Sequence, residues 1–584
     1  MSGGARSWKS RVPGVAGTSY VGGAHHLVTG IIMRRLALVV SLVACPVLGL
    51  AAQARVFTHA DTLRGSNTPE RAWWDATFYD LHVSVSPTDS SIRGANGITY
   101  RVLQPASVMQ IDLQRPLEVD SMTQAGTHLS YQRDGNAFFV TLTAPQRTGD
   151  HNTVWVYYHG AYHPQAGPAQ RGGGPFHWNT DTTGAPWIAT SNEGTGGSTW
   201  WPLKDIPADE PDSQRIAITV PDPLIDVSNG RLRSTTHNSD GTTTFEWFVA
   251  NPINSYDVEI NATASYVPVR DTYKGVNGLL TIEFWPLALH QPLATALMPQ
   301  VKTMLACFEH WFGPYPWYAD GYKLIEAPYL GMEHQSGIAY GNKYLPGYIG
   351  RDLSGTGEGM SWDYIIVHES AHEWWGNNIS AKDHADMWIH ESFGMYAEAL
   401  YLECVKDQAA GQRYLVGVRS NIKNDSPIIG TYGVNDTPRS QDRYYKGSNM
   451  LMTIRAVVDN DARWLSTLRG LNSTFWHQTV TAKQIRGYIN TGTGVDLSRI
   501  FTQYQETTMI PMLEYRTEGK TFSYHWTNVV PGFDMPVRVG LGSDSNYTRL
   551  RPTTAWQTVP STMRDTTELR VDPAFYVTAS RAKP

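Results

Sequence analysis

The chain has 584 residues, 41% of them hydrophobic, which is enough for several packed cores and too much for a disordered polymer. A formal net charge of −6 offers no basic surface surplus and argues against nucleic acid as a partner. With 3 cysteines in the whole chain, neither a disulfide framework nor a thiolate metal cluster is expected.

Residues 1–32 carry no organised pattern and are expected to lie upstream of the true start. Met33-Arg34-Arg35 is a basic start, Leu36 to Leu50 is apolar, and Ala52-Gln53-Ala54 is a small-x-small cleavage site. Residues 33–54 therefore read as a signal peptide, with an exported mature chain beginning at Arg55. Leu42-Val43-Ala44-Cys45 also fits a lipobox, so a lipid tether at Cys45 is the competing expectation. No later stretch approaches the ~18 apolar residues of a spanning helix, and no integral membrane span is expected in the mature chain.

From 55 to 267 short alternating segments such as Leu81-His82-Val83-Ser84-Val85 and Val154-Trp155-Val156-Tyr157-Tyr158 are broken by turn residues, which predicts an all-β domain. Within it, Gln165 to Gly174 is rich in Gly and Pro and reads as a surface loop. From 268 to 507 the apolar period lengthens to that of helices, including Gln291 to Phe312 and Gly447 to Asp459, which predicts a mainly α domain. Cys307 and Cys404 each fall in such a helical pattern and are expected to be buried free thiols. From 508 to 584 alternation returns in Phe522-Ser523-Tyr524-His525-Trp526 and Met535-Pro536-Val537-Arg538-Val539, consistent with a small C-terminal β-sandwich. The fold class is thus multidomain α and β.

The chemistry concentrates in His368-Glu369-Ser370-Ala371-His372. Residues four apart lie on one helical face, so both imidazoles can reach one metal ion with Glu369 beside it. Ser361 is a plausible N-cap, and Gly376 with Asn377-Asn378 is expected to stop the helix. A second helical pattern from Met387 to Leu400 carries Glu391 as a third donor. Two His and one carboxylate leave a fourth position open for water, the pattern of a catalytic rather than a structural zinc. Glu398, seven residues after Glu391, is placed to support a zinc His from behind. His334, His384 and His390 read as structural histidines.

Several stretches together resemble the gluzincin aminopeptidases, the family of aminopeptidase N and leukotriene hydrolase. They are the His-Glu-x-x-His element, Trp374-Trp375-Gly376-Asn377, and Glu391 nineteen positions after His372. Leu330-Gly331-Met332-Glu333-His334 resembles the family's Gly-x-Met-Glu-Asn motif, with Leu330 and His334 departing from it. Tyr444-Tyr445-Lys446-Gly447 resembles its Tyr-x-Lys-Gly element. The resemblance implies a saddle-like N-terminal sandwich, a thermolysin-like catalytic domain and one zinc ion on His368, His372 and Glu391. It implies Glu369 as general base and Tyr444 as transition-state donor. Glu333 and Glu193, with Gly331 and Met332 beside them, would bind the free N-terminus of a peptide. The family's large helical C-terminal domain has no counterpart here, which implies a more open cleft. Beside the aminopeptidase reading stand a peptidase for di- or tripeptides, a bifunctional peptidase and epoxide hydrolase, and an exported zinc-binding scaffold or surface module without turnover.

Overall fold

Leu81, Val83 and Val85 point inward and His82 and Ser84 do not, so Trp74–Ser86 forms a strand with one apolar face. In the computed structural model of the protein, which describes residues 56–162, 175–436, 440–541, 546–560 and 569–582, this strand lies near the middle of an eight-stranded sheet. It pairs antiparallel with Ser91–Val102 and parallel with Ser213–Pro221. The outer strands of that sheet are Arg231–His237 and Thr127–His128. A four-stranded and a three-stranded sheet complete the N-terminal β region, and Trp74, Trp200, Trp201, Ile98 and Val156 fill its core. Helix α1 (His59–Gly65) carries a capping box in which the Thr58 hydroxyl accepts from the Asp61 N–H. The short α2 (Pro69–Ala72) follows, and its Arg71 is wholly buried against Asp112 and three backbone carbonyls.

The helical region begins on a five-stranded sheet that runs Val269–Gly275, Gly278–Trp285, Tyr322–Glu326, Ile338–Tyr340 and Gly331–Met332. Around it pack α3 (Gln291–Phe312), α4 (Tyr364–Ala371), α5 (Trp388–Val405), α6 (Gln408–Val418) and α7 (Asp442–Val458). They are followed by α8 (Asp461–Thr474), α9 (Ala482–Thr493) and α10 (Ser498–Gln505). Every side chain of α4 is buried, as is the first fifteen-residue stretch of α5, so these two helices form the centre of the domain rather than its surface. Two small sheets, of four and three strands, occupy 512–581. Their Trp526, Phe533 and Phe575 join one apolar core with Trp374, Met450 and Phe501 of the helical region. Phe57–Pro584 is accordingly a single compact unit. The order of β, mainly α and β is the one expected from the sequence.

Four expectations are corrected. The cap of α4 is Asp363, whose carboxylate accepts from the Ile366 N–H at 3.2 Å, while Ser361 ends a preceding 3-10 turn. That helix ends at Ala371, not at Gly376, with His372 as a C-cap still in the right-handed helical region. Helix α7 starts at Asp442 rather than at Gly447, which brings Tyr444 into its first turn. Cys307 and Cys404 are not free thiols: α3 packs against α5, their Cα atoms come to 6.0 Å, and the two sulfurs form a disulfide. The 165–174 loop, the signal segment and Cys45 lie outside the described residues. Among the described residues no helix is long and apolar enough to cross a membrane.

Candidate active site

Helix α4 delivers His368 and, at its C-cap, His372. Helix α5 packs across it and delivers Glu391 from its own first turn. The facing atoms make a nearly regular triangle. His368 Nε2 to His372 Nε2 is 3.4 Å, and Glu391 Oε2 lies 3.9 Å from the first and 3.7 Å from the second. A tetrahedral zinc with bonds of about 2.0–2.1 Å holds its donors about 3.3–3.4 Å apart, so this set fits the ion with three protein ligands. Glu369 stands within 4.8 Å of both imidazoles.

The far sides of both rings are fixed by partners that set their tautomers. His372 Nδ1 lies 3.0 Å from the Trp375 carbonyl oxygen, which can only accept, so the proton sits on Nδ1 and the Nε2 lone pair faces the triangle. His368 Nδ1 lies 2.7 Å from Glu398 Oε1, and Tyr414 donates to the other Glu398 oxygen at 2.5 Å. Glu398 is thereby brought to the position the helical spacing suggested. The close approach of the rings to α5 requires Gly394, where a Cβ would fall 2.9 Å from His372 Cε1.

Gly331 and Met332 form an edge strand paired with Ala339 and Tyr340. A Cβ at Gly331 would lie 2.8 Å from Glu369 Oε1, so glycine leaves room for the carboxylate. Met332 packs with Tyr256, Ala327 and Ala339. Glu333 is buried, with Oε1 accepting from the Tyr256 hydroxyl at 3.2 Å and its carbonyl from Asn377 Nδ2 at 2.8 Å. The departure at His334 has a partner from the β region: its Nδ1 lies 2.9 Å from Glu259 Oε2, both side chains being fully buried. Leu330 packs on the helical core. Glu193 sits in a turn whose Gly194 carbonyl accepts from Arg64 of α1 at 2.8 Å. Tyr444 stacks at 5.9 Å on the His368 ring, and Tyr445 packs behind it.

The site is short of positive charge. Burial first, then the charge of Glu193, pushes the Glu333 and Glu391 carboxyls above the usual range, and burial with Glu193 does the same to Glu369 against the pull of His368. Four carboxylates with so little compensating charge are costly to bury together, which suits a place for a dication and a further cation. Arg443 is the cation nearest them, and the sequence analysis did not single it out because the recognised motif begins one residue later. Gly394 was also missed, although a glycine inside a helical apolar pattern is a signal of close approach. His334 and His390 are engaged elsewhere, His390 Nε2 accepting from the Ala381 N–H at 2.9 Å. His384 is buried and lowered to about 4, first by burial.

Two family models match the chain, the peptidase M1 N-terminal domain over residues 76–256 and the peptidase family M1 domain over residues 296–504. The chain belongs to peptidase family M1. Among curated M1 relatives, the probable aminopeptidase 1 of Sulfurisphaera tokodaii is 22% identical over 215 residues, 34% of this chain and 27% of that protein. Aminopeptidase N of Lactobacillus helveticus is 24% identical over 163 residues, 26% of this chain and 19% of that one. The matched segment thus spans well under half of those relatives. The fold of this M1 member is similar to that of an M1 zinc metallopeptidase from Deinococcus radiodurans, with a TM-score of 0.63 at 21% identity over 75% of this chain and 95% of that one. A variant of that enzyme bound to a Tyr-Ser-Ala substrate gives a TM-score of 0.62 at 21% identity over 76% of this chain and 96% of that one.

Proposed function

We propose that this M1 family member is a zinc-dependent aminopeptidase that takes one zinc ion and removes residues from the free N-terminus of peptides. The observation that carries the reading is the triangle of His368 Nε2, His372 Nε2 and Glu391 Oε2 with Glu369 beside it. Zinc held there supplies a Lewis acid that polarises the scissile carbonyl and acidifies water. Glu369 accepts the proton of the attacking water and then delivers it to the leaving amine. The Tyr444 hydroxyl donates to the oxygen on which negative charge develops. Glu333 and Glu193 pair with the substrate α-ammonium, which sets the first peptide bond against Glu369 and leaves later bonds out of reach. The Tyr-Ser-Ala substrate of the Deinococcus relative, a peptide of three residues, supports the substrate class. A scaffold without turnover has no need of a carboxylate kept at Glu369.

Export belongs to the same reading. The leader pattern of residues 33–54 supports it, and so does a disulfide between Cys307 and Cys404, since such bonds persist in oxidising compartments. N-terminal sequencing of the exported protein tests this, Arg55 being the expected first residue.

The deciding experiment on the chemistry is Glu369→Gln. General acid–base catalysis typically contributes about 10²–10⁴-fold, so the variant should bind zinc as the parent does and lose aminopeptidase activity by that order. Retained hydrolysis would sink the assignment.

A further inference from the structure

Arg443 is the residue just before Tyr444 in the first turn of α7, and it touches the site three ways. Its guanidinium Nε lies 3.5 Å from Glu391 Oε1, the oxygen opposite the one that faces the imidazoles. Its Cζ lies 5.0 Å from the centroid of the Tyr444 ring, and Nη2 is 3.5 Å from the Tyr444 hydroxyl. Its backbone carbonyl accepts from the Ser392 hydroxyl, on the residue after the metal-ligand glutamate, at 2.6 Å. One turn later Gly447 seats α7 on the same serine, since a Cβ there would fall 1.8 Å from Ser392 Oγ. The side chain is 11% exposed, so these contacts are made largely out of water.

We propose that Arg443 is a positioning residue that clamps Glu391 to Tyr444, fixing which carboxylate oxygen is offered to zinc and where the tyrosine hydroxyl stands. A carboxylate is free to rotate about its last bond and to present either oxygen or both. With Oε1 opposite a guanidinium, Oε2 alone is turned to the imidazoles. The same guanidinium lies over the Tyr444 ring and reaches its hydroxyl, which ties the oxyanion donor to the metal ligand through one side chain. A lysine in its place keeps the charge but loses the flat face and the fork of donors. The inference rests on the aminopeptidase reading for the role of Tyr444, while its effect on zinc can be read without turnover.

The test is zinc affinity of metal-depleted full-length protein, measured by competition with a chromogenic chelator, for the parent, Arg443→Gln and Arg443→Lys. Thermal unfolding and steady-state kinetics on an aminoacyl amide accompany it. Partners of metal ligands typically change affinity or activity by about 10–100-fold when removed, so Arg443→Gln should weaken zinc by that order. It should lower kcat by a comparable factor with KM within about threefold. Arg443→Lys should recover most of the zinc affinity and little of the kcat, a split that a merely structural side chain would not give. Zinc affinity of folded Arg443→Gln within about twofold of the parent overturns the proposal. If Arg443→Gln does not fold, parent-like kcat in Arg443→Lys overturns it. Should the parent bind zinc but cut no amide, the aminopeptidase reading fails, and a loss of zinc affinity in Arg443→Gln still upholds the clamp on Glu391.

Discussion

Glu369 and Glu391 are both carboxylates beside the same two imidazoles but approach them differently, Glu391 Oε2 to 3.9 and 3.7 Å of the two Nε2 atoms and Glu369 to within 4.8 Å of the ring donors. The difference comes from backbone placement: Glu369 rides on the histidine helix itself, next to Gly331, while Glu391 arrives from α5. Tyr444 stands over His368 with its hydroxyl toward Glu391, where it can meet charge that develops beside the ion. Removing a single oxyanion donor of this kind typically costs about 10²–10³ in kcat. Tyr444→Phe should therefore lower kcat by that order with KM nearly unchanged, while Tyr445→Phe should leave kcat near the parent value. The reverse ranking in steady-state kinetics would move the role to the neighbour. At this scale much was legible, because His368, Glu369 and His372 obey a spacing that a helix turns directly into geometry. Glu259 opposite His334 and Arg443 beside Glu391 were not, since each depends on which elements pack together.

Helix α4 is short, wholly buried and capped by a carboxylate that is itself buried, and this has a consequence for stability. Asp363 accepts from the Ile366 N–H and from the Tyr340 hydroxyl at 2.7 Å, yet burial, the larger effect, pushes it up to about 6. An acid raised in the folded state binds its proton more tightly there than in the unfolded chain. Its contribution is therefore greatest below the ordinary carboxylate range, near pH 4, and is lost as pH rises through 6. Asp363→Asn keeps a cap without the charge. Its unfolding free energy in metal-free protein should gain on the parent as pH rises from about 4 to 7, by an amount on the order of 2–3 kcal/mol. A difference that stays flat or shrinks over that range would contradict the assignment. The cap itself escaped the sequence because Ser361 and Asp363 both satisfy the N-cap preference, and only the 3-10 turn at Glu358–Ser361 decides between them.

Across the whole molecule, the β region and the helical region meet at the site rather than around it. The β region supplies Glu193, Tyr256 and Glu259, and the helical region supplies the zinc donors, Glu333 and Tyr444. Helices α3 and α5 of the catalytic core are stapled by Cys307 and Cys404 across 97 residues of chain. Periodicity placed each cysteine on a helix but could not pair them, since pairing depends on how two distant helices pack. Closing a loop of about 100 residues is worth up to about 4.7 kcal/mol in the chain-entropy account, with 2–4 typical. Thiol titration of the denatured, unreduced protein beginning at Arg55 should find no free thiol. Cys307→Ala with Cys404→Ala should unfold at lower temperature with zinc affinity unchanged, and two titrating thiols would return both residues to the free state.

In the proposed chemistry one metal-bearing cleft grips a free amine and cuts the bond beside it. The measurement that tests it most directly is hydrolysis of aminoacyl fluorogenic amides and their N-acetylated counterparts by the protein beginning at Arg55, with and without a chelator, beside Glu333→Ala. Hydrolysis should be lost on chelation and restored by zinc, confined to free amines, and weakened through KM in Glu333→Ala. Equal cleavage of acetylated substrates, or zinc binding with no turnover on any of them, would contradict it.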